Sequence, residues 1–322
     1  MIDNEEKMTE KMRNLKSDRS DCKKIGFIGL GLMGSPMAMN LLRASYIVYC
    51  YDLLADRLMP LQRAGAIIAS NIAEIMETTE ITILSLPTVR AVQEVTETML
   101  TNIHEGHFII NTSTVTTSLS KKLDSLCKEK WVTYFDSPVS GGVKSAKLGT
   151  LTFIVGGDKE RYERIKPILS CMGKDIFYVG AIGVATTIKL INQLLFFSGV
   201  LSVCEAVYLA TKTGVDKKTM LEVVSKGSGN SYALQTRLND FILVGNYEPG
   251  CSVNLALKDI RLLLEEAANL GIELPIVSMV EKRLLGAKNL GLSEKDISLI
   301  GSYFEEVVKQ KWSAPPGLDS GG

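Results

Sequence analysis

Three groups of residues have the types and spacing to do chemistry. The first is Gly29-Leu30-Gly31-Leu32-Met33-Gly34, which follows the apolar run Ile25–Ile28 and opens an amphipathic segment. Gly29 permits a tight turn, Gly31 lets the backbone approach a pyrophosphate, and Gly34 lets a helix pack on the preceding strand. The helix start then offers free N–H groups and a positive dipole end to phosphates. The second group is Ser140-Gly141-Gly142, just past the apolar run Val132–Phe135. A hydroxyl followed by glycine N–H groups can hold a carboxylate through charge-assisted hydrogen bonds. The third is Lys189, set among Ile188, Leu190 and Ile191, with Asn192 and Gln193 three and four residues on. An amine surrounded by apolar neighbours is costly unless it has a task or a partner, and desolvation lowers a lysine pKa toward the range where it exchanges protons. Helical spacing puts both amides on the lysine's face, where they can orient a substrate.

A strand ending at Asp52, 18 residues past Gly34 (52 − 34), strengthens the first group. A carboxylate there accepts hydrogen bonds from ribose hydroxyls and repels a 2′-phosphate, so the cofactor expected is NAD, with NADP less favoured. Arg57 follows five residues on, on what reads as an exposed helix face.

These residues need elements to position them. Short apolar runs at 25–29, 47–51, 81–85, 108–110, 132–135, 151–155 and 176–179 read as strands, and segments such as 36–43 and 89–100 between them as helices. Such alternation implies a parallel sheet covered by helices. After Gly183 the strand signals stop and helical periodicity continues to about Gln310. The fold expected is therefore an α/β Rossmann-type N-terminal domain at 23–183, joined by a long helix to an all-α C-terminal domain at 184–310. Residues 1–22 and 311–322 read as disordered tails. The apolar stretch Leu190–Ala210 carries Asn192, Gln193, Ser198, Ser202 and Glu205, which favours a helix buried in a protein core over a membrane span.

Composition excludes several function classes. The 36 Lys+Arg balance 36 Asp+Glu, and aromatic residues are only 7%, so nucleic acid is not an expected partner. The six scattered cysteines form no CxxC pair and read as free thiols of a reducing, cytoplasmic compartment. The two histidines, His104 and His107, read as surface or loop residues, and no metal site is expected.

Four motifs in order resemble the β-hydroxyacid dehydrogenase family, over roughly residues 24–305. They are Gly29-Leu-Gly-Leu-Met-Gly-Ser-Pro-Met37, Asp136-Ser-Pro-Val-Ser-Gly-Gly142, Gly180-Ala-Ile-Gly183 followed by Lys189-Leu-Ile-Asn-Gln193, and Lys258-Asp259. The family includes 3-hydroxyisobutyrate dehydrogenase, tartronate semialdehyde (2-hydroxy-3-oxopropionate) reductase and glyoxylate/succinic semialdehyde reductases, all 6-phosphogluconate dehydrogenase-like. The resemblance implies Lys189 as general acid/base. It implies Ser140, Gly141 and Gly142 on the substrate carboxylate and hydroxyl, with Asn192 and Gln193 orienting the substrate. Leu86-Pro87 would line the adenine and ribose side, Thr114 would approach the nicotinamide, and Lys258 would close over the cofactor. The active site would lie in the cleft between the domains, and the substrate would be a small β-hydroxy acid or its semialdehyde. The apolar central helix implies a homodimer or homotetramer, and no membrane.

Two departures leave the substrate open. The family often has Asn-Asn where this chain has Asn192-Gln193, a form that also resembles the tartronate semialdehyde reductase branch, and an aromatic where Cys251 follows Pro249-Gly250. A non-catalytic dinucleotide-binding module is the alternative of another class; such proteins typically lose the lysine. An imine reductase is disfavoured for the same reason.

Overall fold

The computed structural model describes residues 24–301, so the expected tails and Cys22 lie outside the described residues. The chain divides into two compact units, Met1–Lys189 and Leu190–Gly322.

In the first unit the strands are β1 (Lys24–Ile28), β2 (Ile47–Tyr51), β3 (Ile67–Ile68), β4 (Ile81–Leu84), β5 (Phe108–Asn111), β6 (Thr133–Asp136), β7 (Val139–Ser140), β8 (Leu151–Gly156) and β9 (Gly173–Gly180). Between them lie α1 (Gly34–Arg43), α2 (Ala55–Arg63), α3 (Ile72–Thr78), α4 (Val89–Asn102), α5 (Thr117–Glu129), α6 (Gly142–Leu148) and α7 (Lys159–Leu169). The sequence pattern did not announce β3 and β7. Each is two residues long, too short for alternation to show.

The strand order is β3-β2-β1-β4-β5-β6-β8-β7, with β9 paired to β8. The pairs from β3 to β6 are parallel, whereas β8 runs antiparallel to β6 and β7. A sheet covered on both faces needs apolar residues at successive positions. Phe27, Ile83, Ile110 and Phe135 accordingly enter one core, and their neighbours Ile28, Leu84, Ile109 and Tyr134 enter the other. The direction of winding reverses between β1 and β4, and open α/β sheets hold ligands at the strand exits of such a point.

Helix α8 (Val184–Thr213) crosses from the first unit into the second. The second unit continues with α9 (Lys217–Val224), a π-helical segment (Leu234–Ile242), α10 (Val253–Asn269), α11 (Pro275–Asn289) and a 3-10 turn (Ile297–Leu299). On α10 the buried positions Val253, Ala256, Leu257, Ile260, Leu263 and Ala267 follow the helical repeat. Ser252 caps its start by accepting from the Leu255 N–H.

α8 is long and apolar enough to cross a membrane. It is less buried than the sequence reading expected. Leu190, Phe197, Val200 and Cys204 are buried, but Ile188, Ile191, Leu195 and Leu209 are exposed.

Both histidines, read as surface or loop residues, stand in the connection before β5; His104 is exposed, whereas His107 is buried. His107 immediately precedes β5 and is carried into the sheet, where it is 0% exposed and its Nε2 lies 3.0 Å from Thr82 Oγ1. Burial, aided by His104, lowers its pKa from 6.5 to about 3. The folded state therefore refuses a proton that the unfolded chain accepts between those values, so stability falls as pH drops through that window. Replacing His107 with Gln removes the group. The variant's stability relative to the parent should improve by up to about 1.4 kcal/mol per pH unit on acidification across that range. Urea denaturation of both proteins at pH 7, 5.5 and 4 measures this, and a constant difference contradicts it.

Candidate active site

The glycine turn joins β1 to α1 at the switch point. Gly29 has φ +91°, and a Cβ there would sit 2.3 Å from the Ser85 carbonyl oxygen, so the exits of β1 and β4 touch. A Cβ on Gly34 would come within 1.9 Å of the Gly29 carbonyl oxygen, so α1 starts directly against the turn. At Gly31 a Cβ would meet nothing within 4 Å, leaving open space over the loop. Leu32 is exposed, and Met33 precedes α1 without a side-chain cap. By contrast, α3, α4, α5 and α7 are capped by Asn71, Thr88, Thr116 and Asp158.

Asp52 closes this loop from the end of β2. Its Oδ2 accepts the Leu30 N–H at 2.7 Å, and its Oδ1 accepts the Leu54 N–H at 2.9 Å. Leu30 itself is buried in the core, so only its backbone borders the loop. Arg57 is half exposed, as expected for an outer helix face, but its Nη1 also lies 3.5 Å from Asp52 Oδ2. An open glycine turn, an uncapped helix start and a carboxylate at the tip of β2 fit the pyrophosphate and ribose of a dinucleotide.

The next strand exits are tied together. The Leu86 N–H donates to Ser113 Oγ at 2.8 Å, and the Thr112 hydroxyl donates to the Leu84 carbonyl at 2.7 Å. These bonds hold the Leu86-Pro87 segment beside the β5 exit that carries Thr114. Past β6, Ser140 lies in β7 opposite Thr152. Gly141 and Gly142 have φ +121° and +69°, values that a side chain would strain. A Cβ on Gly141 would lie 2.7 Å from Ser145 Cβ, whereas the space at Gly142 is open.

The start of α8 is anchored by Asp136, the last residue of β6. Its Oδ2 accepts the N–H of Gly183 at 3.0 Å, the N–H of Thr186 at 3.1 Å and the Thr186 hydroxyl at 3.0 Å. Burial raises the Asp136 pKa to about 6, against the opposing pull of these hydrogen bonds. Three residues past Thr186, Lys189 is only 8% exposed.

In the second unit the Gln193 amide donates to Asp259 Oδ2 at 2.6 Å, and Asn192 Nδ2 donates to Gln193 Oε1 at 3.1 Å. Lys258 Nζ lies 2.9 Å from Asp259 Oδ1, an ion pair without hydrogen-bond geometry. Gln193 thus uses its amide on a neighbouring carboxylate, while Asn192 is the less buried of the two.

Comparison with known proteins identifies the family. Residues 24–180 match the family model of the NAD binding domain of 6-phosphogluconate dehydrogenase. Residues 183–303 match that of the NAD-binding domain of NADP-dependent 3-hydroxyisobutyrate dehydrogenase. A 2-(hydroxymethyl)glutarate dehydrogenase of Eubacterium barkeri is 36% identical over 88% of this chain and 96% of its own. The chain belongs to the β-hydroxyacid dehydrogenase family. Mouse mitochondrial 3-hydroxyisobutyrate dehydrogenase, another member, is 31% identical over 88% of this chain and 87% of its own. The structure of Mycobacterium tuberculosis 3-hydroxyisobutyrate dehydrogenase with L-serine superposes at a TM-score of 0.81. It is 27% identical and covers 88% of this chain and 99% of that one.

The family assignment fits the four motifs, yet three residues that shape the site escaped sequence reading. Ser113 ties two strand exits, Asp136 anchors α8, and Asp259 holds Gln193. Asp136 and Asp259 stood within quoted motifs, but their partners lie 47 and 66 residues away, beyond any local pattern.

Proposed function

We propose that this chain is an NAD-dependent dehydrogenase of a small β-hydroxy acid, 3-hydroxyisobutyrate dehydrogenase-like, with Lys189 as general acid/base. The Gly29–Gly34 turn holds the pyrophosphate, Asp52 the ribose, and Leu86, Pro87, Thr114 and Lys258 border the rest of the cofactor. When bound, the nicotinamide exchanges a hydride with the carbon that bears the substrate hydroxyl. In oxidation the Lys189 amine takes the hydroxyl proton as the C–H electron pair leaves. In reduction the ammonium returns a proton to the carbonyl oxygen. Ser140 Oγ and the N–H groups of Gly141 and Gly142 hold the substrate carboxylate, and Asn192 fixes its orientation. Gln193 Oε1 accepts the Asn192 amide N–H and so steadies it. The observation that carries this reading is the burial of Lys189, one turn past a helix start fixed to the nucleotide-binding unit. A buried amine held on a fixed turn is shielded from bulk water, which suits a group that exchanges its proton with a bound substrate.

The test is turnover of 3-hydroxyisobutyrate, 2-(hydroxymethyl)glutarate, tartronate semialdehyde, succinic semialdehyde and glyoxylate, each with both cofactors. Turnover of none of them refutes the reading. Asp52 sets a further expectation: kcat/KM with NADH at least about tenfold above that with NADPH, reduced in Asp52→Ser. A parent that prefers NADPH shows that Arg57 overrides the carboxylate.

The oligomer follows from α8. Ile188, Ile191 and Leu195, at i, i+3 and i+7, are exposed apolar residues on one stripe of that helix. A second copy of the chain covers them, giving a dimer or a tetramer built from dimers. Light scattering at micromolar concentration should show no monomer for the parent and a shift toward monomer for Leu195→Asp; a monomeric parent contradicts it. Cys50, Cys127 and Cys204 are buried free thiols, which supports a reducing, cytoplasmic setting. Buried Lys189 and Gln193 on α8 support a helix packed on protein, without a membrane.

A further inference from the structure

We propose that Asp136 is a positioning residue for Lys189, its carboxylate fixing the first turn of α8 and with it the place from which the amine projects. The inference rests on the role of Lys189 proposed above.

A helix start leaves N–H groups without partners, and the residue before the helix usually supplies the cap. α8 is capped from a distant strand. One oxygen of Asp136 takes the N–H of Gly183, just before the helix, and both the N–H and the hydroxyl of Thr186 in its first turn. The Thr186 hydroxyl also lies 3.1 Å from Ser120 Oγ, and Thr187 Oγ1 lies 3.3 Å from Thr117 Oγ1, so α5 grips the same turn. Gly183, at φ +94°, has no room for a side chain, since a Cβ would sit 2.8 Å from Thr117 Cγ2. The turn is therefore held by two elements, β6 and α5. Thr186 and Lys189 are three residues apart, so they lie on one face of the helix.

The cap is costly, which argues that it serves more than helix stability. Asp136 is 0% exposed, and its other oxygen, Oδ1, is buried without a hydrogen-bond partner. Gly156 of β8 closes over it, and a Cβ there would lie 2.3 Å from that oxygen. An orphaned buried carboxylate oxygen is a penalty that an ordinary local cap avoids. The arrangement gains a common reference frame. Asp136 ends the strand that leads, four residues on, to Ser140, and its side chain holds the helix that carries Lys189. One residue thereby sets the proposed carboxylate anchor and the proposed proton carrier relative to each other.

The test compares Asp136→Ala, Asp136→Asn, Thr186→Val and Lys189→Ala on the best substrate of the panel. Small misplacement of a reacting group costs up to about 10²-fold in rate. Asp136→Ala should lower kcat by about 10- to 100-fold, with the KM for NAD within about twofold of the parent. Asp136→Asn keeps an oxygen for the three donors and should recover kcat to within about fivefold of the parent. Thr186→Val removes a single hydroxyl and should lower kcat by about 3- to 10-fold, which keeps the inference testable if Asp136→Ala does not fold. Amide exchange at Val184–Lys189 should quicken in Asp136→Ala and return to the parent rate in Asp136→Asn. The inference is overturned if neither Asp136→Ala nor Thr186→Val lowers kcat, or if any loss follows only the folded fraction. If Lys189→Ala keeps full turnover, the role of Lys189 and this inference fall together. If Lys189→Ala loses turnover while the Asp136 and Thr186 variants keep it, only this inference falls.

Discussion

Lys189→Ala should lose about 10²- to 10⁴-fold in kcat while still binding the cofactor with near-parent affinity. That range is what a positioned general acid/base contributes. Cofactor affinity should survive because the glycine turn, the Asp52 bonds and the tied exits of β4 and β5 do not involve Lys189. Lys189→Arg sharpens the test. A guanidinium keeps the positive charge but does not release its proton at working pH, so it should fail nearly as badly as alanine. Recovery in the arginine variant would show that charge alone matters at this position. Steady-state rates with either variant, beside cofactor titration by fluorescence, make the measurement. Turnover within about tenfold of the parent in Lys189→Ala removes the lysine from the chemistry.

Asp296→Ala should be the most destabilising single change in the second unit, at about 3–5 kcal/mol. Asp296 is 0% exposed and collects five donors. Oδ2 accepts from Arg237 Nη1 at 2.9 Å and from the N–H groups of Gly250 and Cys251 at 3.0 and 2.9 Å. Oδ1 accepts the Ser298 N–H at 3.0 Å and its hydroxyl at 2.8 Å. Arg237 is itself buried, stacked between Phe196 and Phe241 with its guanidinium carbon 5.2 and 4.6 Å from their ring centres. Truncating the carboxylate leaves a buried guanidinium without its counter-charge and frees the Pro249-Gly250 turn. Asp296→Asn keeps part of the acceptor set and should cost less. Urea denaturation monitored by circular dichroism reads both, and a loss below about 1 kcal/mol in the alanine variant contradicts this view of the network.

The two networks show where sequence reading reaches and where it stops. The parallel sheet was legible because its strands are buried on both faces and stand out as apolar runs at 25–29, 81–85 and 108–110. The turn at Gly29–Gly34 and its closure by Asp52 were legible because they belong to one βαβ unit, where spacing carries the information. Lys189 was legible as an anomaly, a charge amid Ile188, Leu190 and Ile191. The anchors were not. Nothing local to Asp136 says that its oxygen serves a helix 47 residues later, and nothing local to Arg237 says that Asp296 balances it. His107 lies in the connection before β5, as a loop residue would, but its burial against Thr82, 25 residues back, leaves no local signal. Gln193, expected with Asn192 to orient a substrate, donates its amide to Asp259 Oδ2, a partner 66 residues away that no local pattern announces.

A crystal structure of the parent enzyme with NAD and the best substrate of the panel tests the central claim most directly. The account predicts the Lys189 amine within about 3 Å of the substrate hydroxyl, or joined to it by one water, on the side where the nicotinamide C4 meets the carbinol carbon. A Lys189 side chain turned into bulk solvent, with another group or no group at that hydroxyl, contradicts it.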